Sequence, residues 1–226
     1  MKTLAVIAAR GGSKGLPGKN IADCAGKALI TWTIEAALNA SRIDKVVVST
    51  DSEAIREAAR AAGVEVPWLR PSELSGDDVG IEAVIRHALR NTPGIFDLVC
   101  SLQATSPLRS AMHIDTAIDE FIQKKKDKCE TMVSVVEAPP KTRWLLEKDN
   151  QGFISMPLLK THQDLRRQNL PVCYFPNGAI YLAPTTPFSG FYGSKTRAFV
   201  MDKDSSIDVD SLEDLKIASA LLELRK

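Results

Sequence analysis

Leu4-Ala5-Val6-Ile7-Ala8-Ala9, followed at once by Arg10-Gly11-Gly12-Ser13-Lys14-Gly15-Leu16-Pro17-Gly18-Lys19-Asn20, decides how this chain folds. The apolar run suits a strand buried on both faces, as in a parallel sheet. The eleven residues from Arg10 to Asn20 hold four glycines, two lysines and an arginine. Glycines let backbone N–H groups approach an anion closely, and the cations neutralise phosphate charge. Such a loop directly after a buried strand predicts a phosphate site at the carboxyl edge of an α/β sheet. It is not a Walker A loop, because Ser13 stands where that pattern needs Gly and Asn20 where it needs Ser or Thr. Gly11-Gly12 also lack the G-x-G-x-x-G spacing of a dinucleotide fingerprint.

Outward from the loop, strand and helix patterns alternate. Leu29, Trp32, Ala36 and Ala37 fall at helical spacing, and residues 45–49 read as a second buried strand. Thr50-x-x-Glu53 resembles a capping box for a helix whose apolar face is Ile55, Ala58, Ala59 and Ala62, stopped by Gly63. Residues 81–89 and 112–122 are helical by period, and 96–102 and 131–136 read as strands. This order predicts an α/β fold with a mostly parallel sheet and helices on both faces. Ligands in such sheets sit outside the strand carboxyl ends, which points to the loops after Ala9, Thr50 and Leu102. The period breaks over 138–176, a proline-containing excursion with the polar, basic cluster 160–168. Residues 179–182 and 198–201 return as strands, and Ser211-Leu212-Glu213-Asp214 resembles a capping box opening a last helix.

The 226 residues, 44% hydrophobic and 25% charged, suffice for one domain over 1–226 with a sizeable core. A balance of 29 Lys+Arg against 28 Asp+Glu argues against a nucleic-acid coat or a polybasic membrane anchor. No apolar run approaches the 18 or so residues of a membrane span, and the first run is too short for a signal segment. Cys24, Cys100, Cys129 and Cys173 form no C-x-x-C pair, which fits thiols of a cytoplasmic protein. His87, His113 and His162 show no metal-ligand spacing.

Two further segments carry candidate chemistry. In Ile207-Asp208-Val209-Asp210, extended backbone would put both carboxylates on one face, fit for a hard cation such as Mg2+; capping of the next helix is the alternative. In Leu102-Gln103-Ala104-Thr105-Ser106-Pro107-Leu108-Arg109, Gln103 ends a buried strand, where it could hydrogen-bond a ligand; a plain turn is the alternative.

Five ordered motifs then form one pattern: R-x-x-S-K-G-L-P-x-K-N from Arg10, R-P-x-E-L at 70–74, Q-x-T-S-P-L-R at 103–109, N-G-A-I-Y at 177–181 and S-I-D-V-D at 206–210. Over essentially the whole chain they resemble the acylneuraminate cytidylyltransferases, the CMP-sialic acid synthetase family. The resemblance implies a Rossmann-like nucleotidyltransferase fold. It also implies a homodimer in which a protruding segment, here 138–176, completes the partner's site. The implied reaction joins CTP and a nine-carbon acidic keto sugar, a nonulosonic acid, to give the CMP-sugar and pyrophosphate with Mg2+.

By position, the resemblance assigns Arg10, Ser13, Lys14 and Lys19 to the triphosphate, with Gly12 in the same loop, and Asn20 and Arg70 to the nucleotide. Arg10, Lys14, Lys19 and Asp208 would be catalytic, and Asp208 and Asp210 the metal ligands. Gln103, Lys141, Tyr181 and Phe191 match acceptor-sugar positions, and Arg166 or Arg167 would meet the sugar carboxylate. Val79, Gly80 and Ile81 stand where the family often has nucleotide-binding serines, so Asp77, Asp78 or backbone groups would take over there. Ala104 replaces a common proline. These departures leave the acceptor open among N-acetylneuraminic, legionaminic and pseudaminic acids. The nearest rival, the Kdo cytidylyltransferases, usually has Pro where this chain has Asn20. Sugar-1-phosphate nucleotidyltransferases fit the opening loop poorly. A non-catalytic nucleotide-binding module would be expected to lose one of Lys14, Lys19, Asp208 and Asp210, all of which are present.

Overall fold

The computed structural model of the chain describes residues 1–13, 15–157 and 171–225. Its centre is a six-stranded sheet in the order β10-β6-β9-β5-β1-β4. The strands are β1 (Thr3–Ala8), β4 (Lys45–Ser49), β5 (Leu98–Gln103), β6 (Thr131–Glu137), β9 (Tyr174–Pro184) and β10 (Thr196–Met201). Two short antiparallel pairs lie outside it: β2 (Asp23–Cys24) with β3 (Lys27–Ala28), and β7 (Glu147–Lys148) with β8 (Ile154–Ser155). The pairings β4–β1–β5 and β6–β10 are parallel, while β9 runs antiparallel to both neighbours, β5 and β6. The sheet is therefore mostly parallel, with helices on both faces, as the alternating pattern predicts.

Alternation along β1 explains the layering. Ala5 and Ile7 join the core under α1 (Leu29–Leu38), α2 (Glu53–Ala61) and α4 (Ala111–Lys124). Leu4 and Val6 face the other way, with Ile85 and Ala88 of α3 (Ile81–Asn91). A third apolar cluster seats α5 (Leu212–Glu223) against Cys24, Leu29 and Leu108. No helix among the described residues is long and apolar enough to cross a membrane.

Two local expectations change. The cap of α2 is Ser52, whose Oγ accepts from Ile55 N, while Thr50 lies fully buried and its hydroxyl accepts from Ser52 N. The capping box at Ser211 and Asp214 is present as expected, and α4 has a second, between Ser110 and His113. The return strand is Tyr174–Pro184 rather than 179–182. Pro176 does not break it, because the β6–β9 register shifts between Val133 and Val135, and proline is tolerated at such irregularities. The described part of the excursion is a 3-10 turn, Pro140–Trp144, and the β7–β8 hairpin.

Candidate active site

The parallel strands all point their carboxyl ends at one edge, and the loops there enclose a cavity of about 490 Å³. Its lining combines the loop after β1, the 70–84 region, the end of β5 and the 208–210 segment. Of the three loops that the sequence singles out, those after Ala9 and Leu102 line the cavity, while the loop after Thr50 lies outside the lining and braces the first through Asp51.

The loop after β1 is folded by its own polar groups. Buried Asn20 donates from Nδ2 to Arg10 O at 2.9 Å, tying the loop's two ends together. Gly15 passes so close to the 208–210 segment that a Cβ would stand 2.8 Å from Asp210 O, so only glycine fits without a shift. Lys19 Nζ meets Asp210 Oδ1 at 2.8 Å, and Arg10 Nη1 meets Asp77 Oδ1 at 2.5 Å. Arg10, Ser13, Lys19 and Asn20 line the cavity; Gly12 is exposed and outside the lining, and Lys14 lies outside the described residues.

Arg70 approaches from the opposite side. Its backbone N–H donates to Thr50 O at 2.6 Å, and its buried side chain donates from Nε to Ser75 Oγ at 3.3 Å. Burial pulls its pKa down, with Asp51 opposing and Arg10 adding to the shift. Asp51 holds these parts together: one carboxylate oxygen accepts from Gly11 N at 2.9 Å and faces Arg70 Nη2 at 3.7 Å. Motif reading did not single out Asp51, although its place after β4 was a signal that could have found it. Val79 and Ile81 line the cavity, and of the two aspartates named as substitutes Asp77 is in the lining and Asp78 is not.

The third side is built on the end of β5. Thr105 O accepts from Val209 N at 2.8 Å, docking the 208–210 segment on the turn that follows Gln103. Val209 is fully buried, and Asp208 and Asp210 on either side of it both line the cavity. The segment is not a ladder strand, yet the alternation that extended backbone predicts is observed. Asp208 Oδ1 is buried without a hydrogen-bond partner among the described residues. Burial raises the Asp208 pKa; the Thr105 and Lys19 side chains oppose the rise, while Asp210 and Asp214 add to it. An orphaned buried carboxylate oxygen beside a second carboxylate is a donor set that suits a hard cation. No group of three or more His, Cys, Asp or Glu that could hold a metal occurs among the described residues. Two carboxylates fit Mg2+ in the usual case where substrate phosphates and water supply its other oxygens.

The residues matched to an acceptor separate. Gln103 lines the cavity. Tyr181 does not; it is half-buried, and burial, Tyr192, Asp208 and Glu82 together push its pKa up. Phe191 is 1% exposed, in the core with its ring 5.5 Å from that of Tyr181. Lys141 is exposed on the 3-10 turn and outside the lining. Arg166 and Arg167 lie outside the described residues.

Residues 4–153 match the family model described as cytidylyltransferase. The chain belongs to the cytidylyltransferase family. It is therefore a nucleotidyltransferase, and curated relatives agree over its full length. It is 34% identical to a pseudaminic acid cytidylyltransferase of Campylobacter jejuni, covering 99% of this chain and 97% of that one. It is 36% identical to a CMP-N,N'-diacetyllegionaminic acid synthase of Legionella pneumophila, covering 100% and 98%. A solved CMP:2-keto-3-deoxy-manno-octonic acid synthetase in complex with CTP shares the fold, with a TM-score of 0.75 at 18% identity over 100% of both chains. This cytidylyltransferase thus shares its architecture with that synthetase, while the two full-length relatives above carry the names of a pseudaminic acid cytidylyltransferase and a diacetyllegionaminic acid synthase.

Proposed function

We propose that this cytidylyltransferase joins CTP to a nonulosonic acid, releasing pyrophosphate. The observation that carries the reading is the convergence of Arg10, Lys19, Gln103, Asp208 and Asp210 on one cavity. The names of the relatives, a pseudaminic acid cytidylyltransferase and a diacetyllegionaminic acid synthase, support the acceptor class.

In this reading the anomeric hydroxyl of the sugar attacks the α-phosphorus of CTP; the new bond is C–O–P, and the bond to the pyrophosphate oxygen breaks. Arg10 and Lys19, with Lys14 and the loop's backbone N–H groups, neutralise the triphosphate and the charge that grows on the leaving pyrophosphate. Both described cations are held by carboxylates, Asp77 and Asp210, so a phosphate that enters exchanges those partners for its own oxygens. Asn20 and Arg70 keep the nucleotide side in shape. Gln103 offers a carboxamide to the acceptor at the other end, and an arginine at 166 or 167 would meet its carboxylate. Asp208 and Asp210 would hold Mg2+, which when bound withdraws charge from phosphate and makes a hydroxyl easier to deprotonate.

A second copy of the chain belongs to this reading. The excursion exposes Leu145, Phe153, Ile154, Val172 and Phe175, apolar side chains that a homodimer would cover. A cytoplasmic location fits four cysteines that are all free thiols.

The test is pyrophosphate release with CTP and Mg2+ against pseudaminic, N,N'-diacetyllegionaminic and N-acetylneuraminic acids, Kdo and two sugar 1-phosphates. Release with a nonulosonic acid is the expected result and names the sugar. Release only with Kdo or a sugar phosphate would overturn the acceptor class.

A further inference from the structure

Arg109 closes the Q-x-T-S-P-L-R motif and lies outside the cavity lining. It is only 2% exposed, and its guanidinium sits among backbone groups. Nη1 donates to Ala179 O at 2.9 Å and to Gln103 O at 3.3 Å, so one nitrogen joins β9 to the end of β5. Nε and Nη2 have no hydrogen-bond partner among the described residues. No carboxylate pairs with Arg109 among the ion pairs of the described residues. Burying a cation this way is costly, and burial pulls its pKa down to about 10. Arginine here is thus an expensive means of joining two carbonyls, one of them Gln103's own and the other that of Ala179, next to Gly178.

The carboxamide of Gln103 meets the same stretch of β9. Gly178 has φ 73°, and a Cβ there would stand 2.9 Å from Gln103 Cδ and closer still to Oε1. Any other residue would drive the carboxamide away and strain the backbone. Gln103 O also accepts from buried Thr33 Oγ1 at 3.3 Å, which fixes the strand end from the α1 side.

We propose that Arg109 and Gly178 are positioning residues that hold Gln103 in place for the acceptor sugar: Arg109 pins its backbone to β9, and Gly178 leaves room for its carboxamide where a Cβ would collide with it. The proposal rests on the reading of Gln103 as an acceptor contact. Neither residue touches substrate, and neither lines the cavity. Their effect therefore falls on the acceptor and spares CTP, which the other side of the cavity holds.

The experiment is a pair of double-mutant cycles, Arg109→Lys with Gln103→Ala and Gly178→Ala with Gln103→Ala. KM is read separately for CTP and for whichever of pseudaminic, N,N'-diacetyllegionaminic and N-acetylneuraminic acid supports turnover. Arg109→Lys and Gly178→Ala should each raise the acceptor KM on the order of tenfold, as a small misplacement of a binding group does. The KM for CTP should stay within about twofold, and the acceptor effect should vanish in the Gln103→Ala background, where nothing is left to position. A full effect that persists in that background, or an equal rise for both substrates, overturns the proposal while leaving the reading of Gln103 intact. An unchanged acceptor KM in Gln103→Ala alone overturns that reading and the proposal with it. Should Arg109→Lys fail to fold, the Gly178→Ala cycle decides. A crystal structure of Gly178→Ala adds a check without turnover: the Gln103 carboxamide must be displaced, and finding it in place would overturn the proposal.

Discussion

The wall made by the loop after β1 and the wall made by the end of β5 and the 208–210 segment, with β9 behind it, hold their polar groups in opposite ways. On the first, Arg10 and Lys19 end in ion pairs with partly or largely exposed carboxylates, whose side chains are 38% exposed for Asp77 and 77% for Asp210. On the second, the contacts are buried and join distant parts of the chain. Asn177 accepts from Ser134 Oγ and donates to Ser206 Oγ at 2.9 Å, Arg109 reaches Ala179 O, and Val209 N reaches Thr105 O. Charge acts over a distance and tolerates movement, so a wall that grips a triphosphate can be a loop with exchangeable partners. A wall that must distinguish one sugar from another works by placement, and placement needs a rigid, satisfied interior.

Substitutions that strike one wall and spare the other test this contrast. The largest effect belongs to Asp208, which sits where the walls meet. Asp208→Asn should lower turnover by at least on the order of a hundredfold at saturating Mg2+, measured as pyrophosphate release, since under the proposed reading it removes a metal carboxylate with little change of shape. Near wild-type rates there would take Asp208 out of the metal set.

On the first wall, Lys19→Met should cost on the order of 10- to 100-fold in kcat/KM for CTP and leave the acceptor KM nearly unchanged in steady-state kinetics. A larger effect on the acceptor would mean that the walls are assigned the wrong way round. Asp51→Ala should be milder, about three- to tenfold in the KM for CTP, because it loosens Gly11 and Arg70 without removing a cation. Equal changes for both substrates would show that Asp51 supports the fold and not this wall. Smallest of all is Asp77→Asn, which frees Arg10 from a partner that competes with phosphate. An exposed pair of this kind is worth at most about 1 kcal/mol, so the KM for CTP should fall by no more than about fivefold. A rise in that KM would make Asp77 a helper of nucleotide binding rather than its competitor.

The first wall was legible in the sequence because its information is local. Glycines and cations crowd into eleven residues after an apolar run, and the loop they form is the one observed. The parallel strands and the caps at Ser211 and Gly63 were legible for the same reason, being short-range patterns. The second wall was only partly legible. Gln103, Asp208 and Asp210 stood out by type and spacing, but what holds them did not. Arg109 meets Ala179 seventy residues on, and Asp51 meets Gly11 forty residues back, separations that no periodicity records. Phe191 shows the converse: its ring packs with Tyr181 and Phe188 in the core, a demand of packing that a motif match cannot see.

Under the proposed reading, the cavity has a nucleotide wall and an acceptor wall. The most direct test is a calorimetric titration of CTP with Mg2+, without acceptor, into the wild type, Lys19→Met and Gln103→Ala. The account predicts a Kd for CTP raised on the order of tenfold in Lys19→Met and unchanged within about twofold in Gln103→Ala. CTP binding that survives Lys19→Met and is lost in Gln103→Ala would contradict it.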